Sequence, residues 1–373
     1  MRYRAIGTML LVLLIFIAPL PRGHAAPLAT ELVLPATNMP GEYAIVGDTS
    51  VAYVLPSPLH RAGGFNTRNG PPSYFHARVY VASLTAAHGA LRIGAARETL
   101  TSSAGNMVQL WAIVGRWLIY SEYPLVDPTG PWTLNALDVQ TGHETVLDSS
   151  RHEGVRSLAA QAASDGVTVV WQSWTQVRDH AVSVIRAYVL GTGERSLLVQ
   201  GGSLSTWSYD WPSVSGRYVV LQKAGLAVHD SSQILLADRT TGQIRPLTPP
   251  NAANSEPAIS GDVVTWKQGR QYSGGTGVGA YDLRTGTRWS LAAADPEQPH
   301  ALAGRYVAFP SQVPTNNSYD EVRLFDVTTG ATKTLFRQAG NRILAGGHTL
   351  GYVVNGASVV NKAVEIRITT LPG

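Results

Sequence analysis

Three strand-like segments recur seven times along this chain, always in one order. The first closes on a small residue and a glycine. It reads "YAIVG", "LWAIVG", "QAASDG", "PSVSG", "PAISG", "HALAG" and "RILAG", ending at Gly47, Gly115, Gly166, Gly216, Gly261, Gly304 and Gly346. The second follows within a few residues and is β-branched and aromatic: "SVAYVL", "WLIYSEY", "VTVVWQSW", "YVVLQKA", "VVTWKQ", "YVAFPSQ" and "TLGYVVN". The third runs into a polar turn: "ARVYVASLTAAHG", "TLNALDVQTG", "IRAYVLGTG", "ILLADRTTG", "GAYDLRTG", "VRLFDVTTG" and the degenerate "VEIRITTLPG". One such unit cannot bury its own faces, so it must stack on its copies, and the repeat decides the fold before any single residue does. The marker glycines are spaced 68, 51, 50, 45, 43 and 42 residues apart. A period of about 40–50 with about four strands per unit is the mark of a β-propeller. Runs rich in Val, Ile, Tyr and Trp, each bounded by turn residues, read as strands. No long apolar stripe of period 3.6 appears after the first 25 residues.

A fourth segment follows the turn in six units only: "ALRIGA", "HETVLD", "ERSLLV", "QIRPLT", "TRWSLA" and "ATKTLF". The chain ends at Gly373, just after the seventh third strand. A three-stranded last blade would leave an open edge, which proteins avoid. "ATELVLPA" (Ala29 to Ala36) has the composition of a spare outer strand. The expectation is all-β: seven four-stranded blades, the last closed by this N-terminal strand. Six blades with irregular ends is the alternative, since the first interval is the longest.

The turn Asp-x-x-Thr-Gly occurs as Asp138–Gly142, Asp238–Gly242, Asp282–Gly286 and Asp326–Gly330. An Asp carboxylate accepts hydrogen bonds from the amides just after it, and Gly supplies the positive φ that closes a short hairpin. Calcium loops need several converging oxygens, whereas each turn here has one carboxylate. The motif therefore reads as a hairpin device.

Strand direction alternates within a blade, so these tight turns share one face of the disc and the long loops share the other. Binding residues gather on long loops carried by a rigid scaffold. The longest runs from Pro56 to His76. First strands are innermost in a propeller. The residues that start them, Glu42, Gln109, Gln161, Asp210, Trp211, Glu256, Gln298 and Asn341, are expected to ring the channel mouth on the long-loop face. Trp174, Trp207, Tyr209 and Tyr272 flank it. A polar mouth with aromatic neighbours suits a sugar, a peptide or a cation. The competing reading is that these side chains solvate the channel and pack between blades.

The first 25 residues belong to another category. Arg2 and Arg4 precede an apolar run, Met9 to Leu20, and "GHAAP" offers cleavage after Ala25. This is the pattern of a secretory signal peptide, with the propeller domain occupying residues 26–373. The apolar run is shorter than the ~20 residues a membrane span needs, so no span is expected after cleavage. Removing Arg2, Arg4 and Arg22 leaves 29 − 3 = 26 basic residues against 25 acidic ones. A nearly neutral mature chain with no basic run excludes nucleic acid as a partner. There is no Cys, hence neither a disulfide framework nor a lipid-modified Cys. The expected product is a secreted or periplasmic monomer.

Signatures of catalysis are sparse. The sequence holds no HExxH and no GxSxG. "SGGTGVG" (Ser273 to Gly279) lacks the Lys-Ser/Thr of a phosphate loop. His60, His76, His180, His229 and His300 would form a metal site only if their loops folded inward. Asp210 and Glu256 lie in adjacent units, and paired carboxylates run glycoside hydrolysis. No catalytic residue, metal or cofactor is assigned.

The stretch "PAISGDVVTWKQ…GAYDLRTGTRWSL" resembles the repeat of bacterial TolB-like, WD-like secreted propellers, in which a P-x-I-S-G strand start, a V-V-W strand and a D-L-x-T-G turn mark each blade. The resemblance covers Pro212 to Leu335 well and the remaining units loosely. It implies the fold. Members include envelope scaffold proteins, and related propellers include oligogalacturonate lyases with a His-rich metal site, none of whose site residues transfers here. The expected function is non-enzymatic binding of a protein partner or a cell-wall glycan on the long-loop face. A carbohydrate-active lyase or hydrolase working at the channel mouth is the alternative.

Overall fold

A computed structural model describes residues 29–34, 44–56, 76–87, 90–124, 130–150, 161–177, 180–203, 206–225, 232–250, 252–269, 277–292, 300–312, 319–337, 342–353 and 364–371. The expected signal peptide, most of the loop from Pro56 to His76, and Glu42, Tyr272, Gln298 and Asn341 lie outside them, as do His60 and His229.

The described residues form seven antiparallel sheets in sequence order, the blades of a propeller. The first strand, β1 (Ala29–Leu34), belongs to the last blade. Blade 1 is β2 (Ala44–Val46), β3 (Ser50–Pro56), β4 (Ala77–Ala87) and β5 (Ala90–Ile93), with β6 (Arg97–Thr101) also on β4. Blade 2 is β7 (Asn106–Val114), β8 (Trp117–Pro124), β9 (Thr133–Asp138) and β10 (Glu144–Ser149). Blade 3 is β11 (Ala162–Ser164), β12 (Thr168–Val177), β13 (His180–Val189) and β14 (Arg195–Ser203). Blade 4 is β15 (Trp207–Ser215), β16 (Tyr218–Gly225), β17 (Ser232–Asp238) and β18 (Ile244–Pro246). Blade 5 is β19 (Asn254–Ser260), β20 (Val263–Gln268), β21 (Gly277–Asp282) and β22 (Arg288–Leu291). Blade 6 is β23 (Ala301–Ala303), β24 (Tyr306–Gln312), β25 (Tyr319–Asp326) and β26 (Ala331–Arg337). Blade 7 is β27 (Arg342–Gly346), β28 (Thr349–Val353) and β29 (Val364–Thr370), completed by β1. Seven blades are thus the answer, and six are excluded.

The second strands explain why their sequences read as unbroken apolar runs. Side chains alternate between the two faces of a strand, and here both faces meet a neighbouring blade. On β8, Leu118 and Tyr120 pack toward blade 1, while Ile119 packs toward blade 3. On β12, Val169 and Trp171 join blade 2, while Val170 joins blade 4. The core therefore lies between blades. Each fully buried Val, Leu or Ile there contributes about 1.5–3 kcal/mol.

The ring closes as the N-terminal strand suggested. β1 pairs antiparallel with β29 from Ala29↔Thr369 to Leu34↔Val364. Blades 1 and 7 also meet at their turns, where the His348 amide donates to Asp48 Oδ1.

Two details differ from the sequence reading. The tight turn of blade 7 uses Gly347 at φ 55°, one residue after the expected Gly346. Gly346 is instead a close-approach position, where a Cβ would sit 2.0 Å from the Val46 carbonyl oxygen. In blade 1 the expected single fourth strand is split. β5 pairs with residues 84–87 of β4, and β6 pairs with residues 78–81. The extra strand accounts for part of the long first interval.

Candidate functional site

The tight-turn face satisfies itself. In each Asp-x-x-Thr-Gly turn the Asp Oδ1 accepts the amide two residues on: Gln140 at 2.9 Å, Thr240 at 3.0 Å, Arg284 at 2.8 Å and Thr328 at 2.9 Å. The Gly closes the turn at φ 70–75°, its amide donating to the Asp carbonyl. In blades 2, 4 and 6 the residue after the first-turn glycine is an Arg that pairs with this Asp: Arg116 with Asp138, Arg217 with Asp238 and Arg305 with Asp326. The same guanidinium lies over the next ring, Trp117, Tyr218 or Tyr306. Burial opposes the charge on Asp138, but the Gln140 and Thr141 bonds and Arg116 outweigh it and hold its pKa low. These carboxylates are committed to the hairpins.

The opposite end of the first strands is different. β15 and β19 each carry a register break, between Asp210 and Ser213 and between Ser255 and Ala258. Five residues before the turn glycine, Trp211 has φ 51° and Glu256 has φ 49°. Both are non-glycine residues in the left-handed region, and both precede a proline, which favours extended backbone in its predecessor. Such strain costs about 1–3 kcal/mol and persists only where the surroundings enforce it.

The enforcing groups come from the preceding blade. Gln161, just ahead of β11, accepts the Trp211 amide on Oε1 at 3.0 Å. Gln222 on β16 accepts the Glu256 amide at 3.1 Å. Gln172 on β12 donates from Nε2 to Asp210 Oδ1 at 2.7 Å, and Ser208 donates to Oδ2 at 2.8 Å. Burial raises the Asp210 pKa, while the Ser208 and Gln172 bonds oppose that. Lys267, buried on β20, pairs with Glu256 Oε1 at 2.7 Å. Trp211 remains 39% exposed, an unusual state for a large aromatic side chain.

Four of the expected residues, Gln161, Asp210, Trp211 and Glu256, therefore occupy one polar arc across blades 3 to 5. Asp210 and Glu256 each have partners of their own and make no hydrogen bond to one another. Trp174 lies on β12 two residues beyond Gln172, paired in the ladder with Ser183. Gln109 lies within β7, opposite Ser121. Gln172, Gln222 and Lys267 were missed. The signal was present, since all three stand six residues after a turn glycine and end the runs "VVWQ", "VVLQ" and "VTWK".

The described histidines do not converge. His76 bonds the Ser102 carbonyl, His180 opens β13 on the surface, and His300 bonds Thr265 Oγ1 at 3.0 Å. Among the described residues no three His, Asp or Glu side chains are grouped to hold a metal. Nor is any described helix long and apolar enough to cross a membrane.

No family model and no curated protein matches the chain. Solved structures do. A structure from an analysis of two prolyl endopeptidases is 12% identical with TM-score 0.55, matching 91% of this chain but 51% of that one. The chain thus spans about half of that peptidase. A chain of the mitotic checkpoint complex is 13% identical with TM-score 0.52, covering 98% of this chain and 99% of that one. TolB from Acinetobacter baumannii is 14% identical with TM-score 0.42, over 80% and 77%. Identities this low show the fold alone: the chain is a seven-bladed β-propeller, of the architecture that its repeat resembles in TolB-like and WD-like proteins.

Proposed function

We propose that this chain is a secreted, non-enzymatic propeller that binds a cell-wall glycan or a protein at the channel mouth. The observation that carries the reading is the paired strain at Trp211 and Glu256. Two adjacent blades hold a non-glycine residue in a conformation glycine would adopt freely, at the same position, on the inner strand. Strain kept in register by hydrogen bonds from a neighbouring blade is a feature of sites that position side chains for a ligand. The surrounding Gln, Asp and Trp side chains supply the few convergent polar groups and the aromatic surface that such a site needs. Cleavage after Ala25 would deliver the domain to the envelope, and N-terminal sequencing of the exported protein should begin at Ala26.

The test is a glycan array probed with the purified domain, alongside affinity capture from an envelope extract. Binding to defined glycans, or capture of one protein, should be lost on Trp211→Ala. Shortening of bound oligosaccharides would replace the binding reading with the enzymatic one. Ligand capture indifferent to Trp211→Ala would move the site elsewhere.

A further inference from the structure

The two acidic residues of the arc are not equivalent. Glu256 is neutralised within its own blade by Lys267 Nζ at 2.7 Å. Blade 4 has Gln222 at the position of Lys267, opposite Asp210 in the β15–β16 ladder. Among the described residues Asp210 receives only neutral donors, Gln172 Nε2 and Ser208 Oγ. A partly buried carboxylate without a cation is costly, and each of its oxygens can accept a further hydrogen bond. Next in sequence stands the exposed indole of Trp211, its amide fixed by Gln161. An indole attracts a cation through its π face and packs against the apolar face of a sugar ring. Gln161 uses only Oε1 and Gln172 only Nε2 among the described residues, which leaves Gln161 Nε2 and Gln172 Oε1 for hydroxyl groups.

We propose that Asp210, Trp211, Gln161 and Gln172 form a site between blades 3 and 4 for the primary ammonium group of a cationic amino sugar. The inference rests on the channel-mouth reading above and names its ligand. Blade 5 carries its own cation; blade 4 takes one from the ligand. N-acetylation of the sugar removes the charge and should abolish recognition.

Calorimetric titration with a glucosamine hexamer and with its N-acetylated counterpart tests this. The glucosamine hexamer should bind, more weakly at high salt, and the acetylated one should not. Asp210→Asn should weaken binding about 10- to 100-fold, the loss expected for one charge-assisted hydrogen bond. It removes a desolvated charge; the Asn oxygen still accepts from Gln172 Nε2 and its NH2 donates to the Ser208 hydroxyl, so the fold should persist. Trp211→Gly should also abolish binding, with an unchanged or higher melting temperature, because glycine adopts φ 51° without strain. Equal affinity for both hexamers, lost on Trp211→Gly, would overturn the ammonium assignment and leave the mouth as a glycan site. Binding of trilysine in place of either hexamer would assign the site to a protein amine and overturn the sugar. Failure of all three probes would sink the inference, while the array and capture experiment still decides the broader reading.

Discussion

A single histidine shows how a contact between blades sets the pH response. His300 donates or accepts at Nε2 with Thr265, while its Nδ1 is sealed from solvent with no hydrogen-bond partner. Burial, reinforced by the Lys267 ammonium, pushes its pKa down from 6.5 to about 3. The folded protein thus keeps this imidazole neutral where the unfolded chain protonates it. Between about pH 6.5 and 3 the unfolded state holds the extra proton, so stability falls as pH falls. The loss approaches about 1.4 kcal/mol per pH unit once the unfolded histidine is fully charged. Well above pH 6.5, where both states are neutral, this residue contributes no slope. His300→Gln should flatten the acid limb. Urea midpoints measured from pH 7 to 4 would show it, and parallel slopes for the two proteins would refute the assignment. Lys267 has a different place in the same cluster, since its partner Glu256 keeps the ammonium paired.

At the level of strands and turns, the repeated glycines fall into two kinds that the sequence alone does not separate. Gly330 lies at φ 70° with open space where a Cβ would stand. Gly330→Ala should cost only the backbone term, about 1–2 kcal/mol. Gly346 has no such φ, but its Cβ would meet the Val46 oxygen at 2.0 Å and the Gly47 Cα at 2.7 Å. Gly346→Ala must push backbone apart and should be the more destabilising of the two in urea denaturation. Equal losses would mean that the two rows are not distinct. What could be read beforehand follows from the same physics. Strands buried on both faces write continuous apolar runs, and hairpins write Asp and Gly, so the blades and their closure were legible. The split outer edge of blade 1 was not, because "RETLT" (Arg97 to Thr101) is a half-exposed, polar strand with no apolar run. The site was legible in part. First-strand starts pointed to Gln161, Asp210, Trp211 and Glu256, but their partners lie in other blades. Gln172 is 38 residues from Asp210, a separation that the packing of blade 3 on blade 4 closes. The left-handed backbone at Trp211 was hidden for a related reason, since a residue before proline is expected to be extended.

For the whole molecule the question is what keeps a ring of seven blades from opening. There is no disulfide, so no covalent bridge spans the seam between blades 7 and 1; among the described residues packing and hydrogen bonds cross it. Ile366 and Ile368 of β29 pack with Val46, Val51 and Tyr53 of blade 1. On its far edge β29 is covered by β1, which arrives from the other end of the chain. One strand thereby ties the N-terminal part of the sequence to the last blade. Starting the chain at Thr37 removes that strand and leaves β29 as an unpaired edge. Exposed edges template pairing with other chains, so the shortened protein should associate in a concentration-dependent way. Its melting temperature should fall by about several degrees, the shift expected from losing a few kcal/mol in a large domain. A synthetic peptide of sequence "ATELVL" should restore both properties, because strand addition supplies the missing main-chain bonds. Light scattering and thermal melts with and without the peptide make the measurement. A shortened protein that stays monomeric with the full-length melting temperature would show that the ring is held by its packed interior and that β1 is dispensable.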